Sequence, residues 1–472
     1  MNLTGLVNEY FLPTCEVKIP DPNAEVHQVI SRWSDLNVSL PAIVVVPATE
    51  SDIVASIRFA TDHKLKVIPT GGGHGSFVPI NSNTLYLDLN KFTSISLNEE
   101  SKSVQFGGGV TAGQLVKACA ERGYYTLYPN ANGVGMVGAI LGGGNNPFNG
   151  MHGIASDHLI SIRLVTGIGN IVIISRESDS NEARLFNAFC GGGHGLGVVT
   201  AAEIRIFPIK DLGMDNERIW MRKLVFPPPA IDFAARLFVS LLHPSSKMLP
   251  MLVFARAPPN SPVPGAPVIM LTVQYYGRAA TAENEAAILF DPEVDVKAIM
   301  SETTQIPVTS INDIAERLGF HGGYKEFYHC FLKDVTATAL KRAYQRWIKF
   351  GVECEDALPA SSVVLAVWNT DAMLENDSNG NGFFRWRDRG IFFQTTAWFD
   401  RYASKAKAES FGRDMLRLII ADGSKPAAFT NHMRYRIDLK EIYTEEMVQE
   451  LARIKMHWDP QSIFWSPVVD GV

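Results

Sequence analysis

The stretch IPTGGGHG, residues 68–75, decides how this chain is interpreted, because a short apolar run ends in three glycines and a histidine. The pentapeptide GGGHG at 71–75 recurs at 191–195, and two further glycine clusters lie at 107–109 and 142–144. Glycine runs let backbone N–H groups approach a phosphate closely, and they permit positive φ where the chain folds around it. Their concentration in the first two hundred residues favours one nucleotide-binding site over unrelated tight turns.

The glycine clusters match neither of the common nucleotide motifs. No G-x-G-x-x-G opens a helix after the first strand with an acidic residue about 20 positions on, so a Rossmann site is not predicted. The G-x-x-x-x-G-K-[ST] phosphate loop is also missing from the sequence. No Lys or Arg lies inside the runs, so backbone amides would have to hold a pyrophosphate. A nucleotide cofactor on a different scaffold is therefore expected.

The hydrophobic pattern predicts an α+β fold. In the first two hundred residues, short apolar runs alternate with amphipathic helical patterns, which is typical of a covered sheet. The strands expected there are 42–46, 65–68, 85–89 and 103–106, and the helices are 49–63 and 111–122. Beyond residue 208 the pattern indicates an antiparallel sheet with helices on one face. Its expected strands include 268–276, 362–368 and 390–398, with a helix at 336–350.

Composition limits the classes of partner. The 472 residues are 46% hydrophobic and 19% charged, with a net charge of −6, which indicates a globular chain of two or three domains. Without a basic excess, a nucleic-acid partner is not expected. No apolar run is long enough to span a membrane, and Glu9 and Glu16 interrupt the apolar N-terminus, so no membrane span or secretory signal is predicted and a cytoplasmic location is expected. Five scattered cysteines without a C-x-x-C pair predict reduced thiols and no metal site.

The glycine-histidine stretch resembles the R/S-G-G-G-H loop of the berberine-bridge-enzyme-like flavoproteins, which belong to the vanillyl-alcohol-oxidase class. Further segments resemble that family in the same order along the chain: residues 41–57, 133–144, 155–170, 191–200 and 459–464. The resemblance implies a two-subdomain FAD-binding domain with an antiparallel-sheet substrate domain. It assigns residues 1–208 and a C-terminal segment, 415–472, to the FAD-binding domain, and 209–414 to the substrate domain.

In that family the loop histidine bonds to the 8α carbon of the flavin, and by position this residue is His74. His194 has the same local sequence and is the alternative attachment point. The remaining residues that the resemblance places at FAD are Gly71, Gly72, Gly73, Gly75, Val134, Gly135, Gly138, Gly142, Gly143, Gly144, Asp157, Gly193, Gly197, Val198, Val199 and Asn431.

Three positions of the family pattern bear on chemistry, and at two of them, Ala131 and Phe429, this chain departs from the pattern. Many relatives add a cysteinyl bond to the flavin, but Ala131 occupies that position here, so attachment through His74 alone is predicted. Val134 falls where the family gates oxygen access to the flavin, which favours an oxidase. Relatives often use the tyrosine of a Tyr-x-Asn element as a base, and this chain has Phe429 there, which cannot take a proton.

The substrate side is less defined by sequence. Candidate catalytic residues in the second domain are Tyr275, Tyr276, Asp371 and Gln394, although aromatic residues on a sheet are more often packing. Two interpretations stay open for a further group of aromatic residues, which either form an apolar substrate pocket over the flavin or belong to the hydrophobic core: Trp368, Phe393, Trp398 and Phe399. The expected function is an FAD-dependent oxidase that acts on a hydrophobic secondary-metabolite-like small molecule with O2 as acceptor, by alcohol oxidation or oxidative cyclisation. Two alternatives stay open, a flavin-retaining cyclase or isomerase without net redox change and a passive flavin- or ligand-binding protein.

Overall fold

The computed structural model describes residues 7–313, 316, 319–377, 382–420 and 425–472, and within them the strands form four sheets. These contain four, five, two and seven strands. The first three sheets lie within residues 1–208 and the seven-stranded sheet lies within residues 209–414, and these two ranges are called the first and the second domain below.

The first sheet is mostly parallel, and its two central strands are buried. Its elements are α1 (Val7–Tyr10), β1 (Glu16–Lys18), α2 (Val26–Val29), β2 (Ile43–Val46), α3 (Glu50–His63), β3 (Lys66–Thr70) and β4 (Thr84–Asp88). The strand order is β1-β2-β4-β3, with β1 antiparallel at the edge. A capping box between Thr49 and Asp52 starts α3, and Lys64 ends it with a left-handed φ of 57°.

The second sheet is antiparallel throughout and has the order β5-β6-β10-β8-β9. Its part of the chain comprises β5 (Ile95–Asn98), β6 (Ser103–Gly107), α4 (Ala112–Ala120), β7 (Tyr124–Tyr125), α5 (Met136–Leu141), α6 (Asn149–His152), β8 (Leu159–Val165), β9 (Ile171–Ser175), α7 (Ser180–Phe189), β10 (Val198–Arg205) and β11 (Phe207–Pro208). Strands β7 and β11 form the separate two-stranded pair. The glycine clusters lie at the ends of β3, β6, α5 and α7, so the fold brings turns from both sheets together.

The third sheet has seven antiparallel strands in the order β15-β12-β14-β13-β17-β18-β16. The elements are β12 (Arg218–Phe226), α8 (Ile231–Val239), β13 (Met248–Arg256), β14 (Pro267–Tyr275), α9 (Ala279–Glu285), α10 (Pro292–Lys297), β15 (Met300–Pro307), β16 (Tyr324–Leu332), α11 (Ala337–Glu353), β17 (Ser362–Val367), α12 (Asp371–Asp377), β18 (Ile391–Phe399), α13 (Lys405–Ile419) and α14 (Glu445–Trp458). One face of the sheet packs on α8, α11 and α13 in a single hydrophobic core. The opposite face contributes to the core of the first two hundred residues.

The chain end returns to the first domain. Lys455 on α14 is buried and donates hydrogen bonds to Asp459, to the carbonyl of Gly195 and to the carbonyl of Phe464. Phe464 also forms a parallel bridge with Val67 on β3. The boundary predicted after residue 414 falls inside α13, which packs on the seven-stranded sheet. The C-terminal segment that joins the first domain therefore begins after Ile419.

The predicted strands and helices are present with boundaries shifted by a few residues, and the predicted α+β class is confirmed. All five cysteines are buried and unbridged. Among the residues that the structure describes, no helix combines the length and apolar character that a membrane crossing requires. Within the same ranges no group of three or more His, Cys, Asp or Glu side chains is arranged to hold a metal ion.

Candidate functional site

The glycine loops after β3, after β6 and before α5 pack backbone against backbone. A Cβ added to Gly71 would lie 2.8 Å from the carbonyl oxygen of Gly108. One added to Gly72 would lie 2.3 Å from the amide nitrogen of Gly135. Neither gap admits a side chain, so glycine at Gly71 and Gly72 is required by the close approach of the loops.

Other glycines of the same region expose their backbone to solvent. Gly133 and Gly138 are exposed, and a Cβ on Gly138 would meet nothing within 4 Å. Val134 between them is half-buried, and its carbonyl accepts a hydrogen bond from the amide of Ala112, which joins the loop to α4. The result is a closely packed base of loops with an exposed glycine surface, which fits a flat or phosphorylated ligand that backbone amides would hold.

His74 stands beside this surface with one nitrogen unused. Its ring stacks on Trp33 at 5.9 Å between centroids, and its Nε2 is buried without a hydrogen-bond partner. Burial lowers the pKa of His74 to about 3, and the nearby charges of His321, Arg32 and Lys325 lower it further. The imidazole is therefore neutral at ordinary pH, which is the form that can act as a nucleophile.

The basic groups near His74 are held in place by backbone carbonyls. Arg32 donates to the carbonyl of Gly75 at 2.6 Å, which ties it to the glycine-histidine loop. Lys325 on β16 is buried between the rings of Trp33 and Trp398 and donates to the carbonyl of Trp33 at 2.6 Å. Burial lowers the pKa of Lys325 to about 8. Residues from the sheet of the second domain thus complete the surroundings of His74.

The loop at 191–197 is more deeply buried than the loop at 71–75, since the glycines at 191–193 are buried whereas Gly71 is exposed. A Cβ on Gly193 would meet the ring of Phe189 at 2.6 Å, and one on Gly197 would meet Leu164 at the same distance. His194 contacts the ring of Phe77 edge-on at 5.6 Å, and burial lowers its pKa to about 4. Val198 and Val199, which follow the loop, are buried in β10.

The remaining predicted FAD contacts form links between segments. Both carboxylate oxygens of Asp157 accept hydrogen bonds from Arg387, at 2.7 and 2.8 Å, and both side chains are buried. Asn431 donates to the carbonyl of Ala139 at 2.8 Å, and its amide occupies the space that a Cβ on Gly142 would need. Gly143 and Gly144 follow with positive φ. These contacts join Arg387 to the segment between α6 and β8, and Asn431 to α5.

The four candidate catalytic residues are not brought together. Tyr275 points to the helix-covered face of the sheet, where its hydroxyl donates to Glu285 at 2.8 Å. Tyr276 is buried and donates to Gln274, and Asp371 is exposed at the start of α12. Gln394 lies half-buried on the sheet face that looks toward the first domain, the side to which Tyr276 also points, because its neighbours Phe393 and Thr395 are buried on the other side of β18. The strand period places Phe393 and Phe399 in the helix-covered core and Trp398 on the same face as Gln394.

Two histidines that the sequence reasoning missed lie on this same face. His329 is paired with Gln394 across β16 and β18, and the ring of His432 lies 5.4 Å from the ring of His329. The alternation of β16 could have indicated His329, since odd-numbered residues from Lys325 to Phe331 share one face. His432 follows directly after the element that contains Phe429 and Asn431.

Comparisons with known proteins agree with this geometry. A family model described as "FAD binding domain" matches residues 41–175. The FAD-linked oxidoreductase hasG of Aspergillus fumigatus is 27% identical over 455 residues, which cover 92% of each chain. Two solved structures share the fold with TM-scores of 0.78 at 16% identity, each covering 99% of this chain and 98% of its own: BBE-like 1 of Physcomitrella patens and berberine bridge enzyme from Eschscholzia californica. The family model assigns an FAD-binding domain to residues 41–175, and the other matches agree with the resemblance that the glycine loops indicate.

Proposed function

We propose that this chain, an FAD-linked oxidoreductase of the berberine-bridge-enzyme-like type, is an oxidase with FAD attached through His74 alone. Its substrate is an apolar molecule of the secondary-metabolite kind, oxidised at an alcohol or by oxidative cyclisation, and O2 is the final electron acceptor. Bound FAD would supply the hydride chemistry, while the protein supplies position and surroundings.

The observation that carries the proposal is the state of His74. Its imidazole is neutral, its buried Nε2 has no partner, and Gly133 opposite would leave only 3.4 Å between a Cβ and that nitrogen. The Nδ1 of His194 in the second copy is also buried without a partner, so the feature that distinguishes His74 is the exposed glycine surface beside it. The exposed glycine surface beside it fits a flavin nucleotide, whose phosphates would be held by amides because the runs contain no basic side chain.

The surface opposite the glycine loops supports an apolar substrate. Phe327, Phe331 and Phe392 line the face of β16 and β18 toward the first domain, and Phe429 packs beside them. The ammonium of Lys325 on that face is already bound by backbone carbonyls. Such a surface favours an uncharged ligand over a sugar acid or an amino acid.

The first test is the absorbance spectrum of purified protein before and after acid precipitation. We expect yellow colour to stay with the pellet in the natural protein and in a His194→Ala control, and to be lost in His74→Ala. Colour in the supernatant of the natural protein would remove the histidyl bond but leave a flavoprotein. A colourless protein that takes up no added FAD would refute the proposal.

The second test concerns oxidase activity. Alcohols and phenols are screened for anaerobic bleaching of the flavin, and each bleached sample is then exposed to O2. We expect recovery of the yellow colour with one H2O2 formed for each substrate oxidised. Bleaching that only an artificial acceptor reverses would identify a dehydrogenase instead.

A second candidate function is a cyclisation or isomerisation without net redox change. It is favoured by Phe429, which lies buried among aromatic rings and offers no hydroxyl where relatives often have a tyrosine. Anaerobic conversion of substrate without bleaching of the flavin would support it, and bleaching in step with conversion would exclude it.

A further inference from the structure

His329 and His432 form an imidazole pair inside an aromatic enclosure on the sheet face toward the first domain. The ring of His329 lies 4.4 Å from Phe392 and 4.7 Å from Phe331. The ring of His432 lies 4.3 Å from Phe327 and 5.2 Å from Phe429. Two polar rings are thus surrounded by apolar ones in an otherwise hydrophobic surface.

Three of the four imidazole nitrogens of this pair form no hydrogen bond within the protein. Both nitrogens of His329 and the Nδ1 of His432 are buried and have no hydrogen-bond partner. A backbone group of Phe393 is close enough to favour the charged form of His329, but it does not complete a hydrogen bond of normal geometry. Buried polar groups are rarely left without partners, since each costs about as much as a lost hydrogen bond. Such groups point to a ligand that completes them.

Both rings are neutral, so they can donate and accept hydrogen bonds at once. Burial lowers the pKa of His432 to about 3, and burial together with His432 lowers the pKa of His329. Arg434, the nearby cation, is already bound by both carboxylate oxygens of Glu441. No charge in the described surroundings therefore invites an ionic ligand to the pair.

His432 is placed where the second domain meets the glycine loops. The preceding Thr430 donates to the carbonyl of Gly191, and Asn431 donates to the carbonyl of Ala139 on α5. His432 itself is half-buried, whereas His329 is almost fully buried behind it. A ligand that lies between the sheet and the glycine loops would reach His432 first.

We propose that His432 hydrogen-bonds the hydroxyl group of a flat, uncharged aromatic substrate, and that His329 acts as the positioning residue behind it. The proposal rests on the proposed function for the location of the flavin, and it adds the substrate class and the residue that selects it. Phenylalanine rings would hold the aromatic body of the ligand, while the imidazole would pair with its single polar group. A site built to bind a hydroxyl discriminates against an analogue that lacks it, because the buried polar groups are then left unpaired.

The test uses the flavin-loaded protein and three probes with the same ring system, 2-naphthol, 2-methylnaphthalene and 2-naphthoate, near neutral pH. Binding is followed by the perturbation of the flavin absorbance and by quenching of tryptophan fluorescence. We expect 2-naphthol to bind about tenfold more tightly than 2-methylnaphthalene, the effect of one hydrogen bond. The ionised 2-naphthoate should bind more weakly than both. Equal affinity for naphthol and methylnaphthalene, preference for naphthoate, or no binding of any probe would overturn the proposal.

The variants separate recognition from structure. His432→Phe should abolish the preference for naphthol while methylnaphthalene still binds, and His329→Phe should reduce the preference, with His329→Gln partly restoring it. The control is His243→Phe, since His243 is exposed and far from the flavin loops in sequence. A preference unchanged in His432→Phe would refute the assignment, whereas a variant that only loses structure would weaken all probes together. Failure of the oxidase proposal would be distinguishable. The protein would still prefer naphthol, but no substrate would bleach its flavin.

Discussion

Replacing Gly72 by alanine tests whether the loops truly pack backbone to backbone. A Cβ at this position would lie 2.3 Å from the amide nitrogen of Gly135 and 2.6 Å from the carbonyl oxygen of Gly133. Ordinary contact begins near 3.4 Å, so the two loops would have to separate by about 1 Å. Since both neighbours are backbone, no side-chain rotation can relieve the clash. Overpacking of this kind typically costs about 1–3 kcal/mol.

The matched variant is Gly138→Ala, at an open position on α5. The added methyl group meets nothing within 4 Å, and alanine is favoured over glycine in a helix by about 1 kcal/mol. The protein without flavin should therefore keep its stability. If the exposed glycine surface holds the flavin nucleotide, the same methyl group should nonetheless reduce flavin incorporation.

The assay measures two quantities for each variant. Flavin content is the ratio of absorbance at the flavin band to that at the protein band, and stability is the thermal unfolding midpoint in a His74→Ala background stripped of flavin. We expect Gly72→Ala to lose both, and Gly138→Ala to lose flavin only. Full flavin and full stability in Gly72→Ala would refute the loop packing, and full flavin in Gly138→Ala would refute the location of the cofactor surface.

Three further predictions follow from the same structure. Lys455→Met should lower the free energy of unfolding by about 3–5 kcal/mol, because it leaves the buried carboxylate of Asp459 unpaired. Urea unfolding measures this change, and the control Lys440→Met, which removes a surface ion pair, should change the free energy little. The free energy of unfolding should fall as pH drops below about 6.5. Burial lowers the pKa of His152 and His194 to about 4 in the folded chain, so in this pH range the unfolded chain binds more protons than the folded chain. Thermal midpoints between pH 7.5 and 5 check this, and His194→Phe should flatten the dependence. If Val134 gates oxygen access, as the family resemblance implies, Val134→Leu should slow reoxidation of the photoreduced flavin by O2, measured by stopped flow, without changing flavin content.

Local signals account for the part of the fold that was predictable from sequence. The capping box at Thr49 and the apolar spacing that follows define α3, and the uninterrupted run IVVV defines β2. Short or polar strands gave no comparable signal. The edge strand β15 is largely exposed and β7 has two residues, so neither carries a hydrophobic pattern. Which strands pair is set by contacts such as that between β6 and β10, far apart in sequence, which no local pattern encodes.

The predictability of the site divides in the same way. The glycine loops were identifiable because glycine clusters are rare outside close backbone approaches. The side of the sheet to which a strand residue points was not identifiable from the sequence. Tyr275 and Tyr276 are adjacent in the chain but point to opposite sides of the same sheet. The sequence indicates Gln394 without indicating which strand pairs with β18, so its partner His329 cannot be predicted with it.

The two identical GGGHG pentapeptides show how far surroundings decide chemistry. Their backbones differ, with positive φ at Gly73 in the first copy but at Gly191 and Gly195 in the second. The first copy adjoins an exposed glycine surface and basic groups from the second domain, so the neutral ring of His74 faces a place where a cofactor can lie. The second copy is packed between helix α7 and the chain end, and the carbonyl of Gly195 is bound by Lys455. Because the first pentapeptide borders an exposed glycine surface and the second is enclosed, covalent attachment is expected at His74 and not at His194.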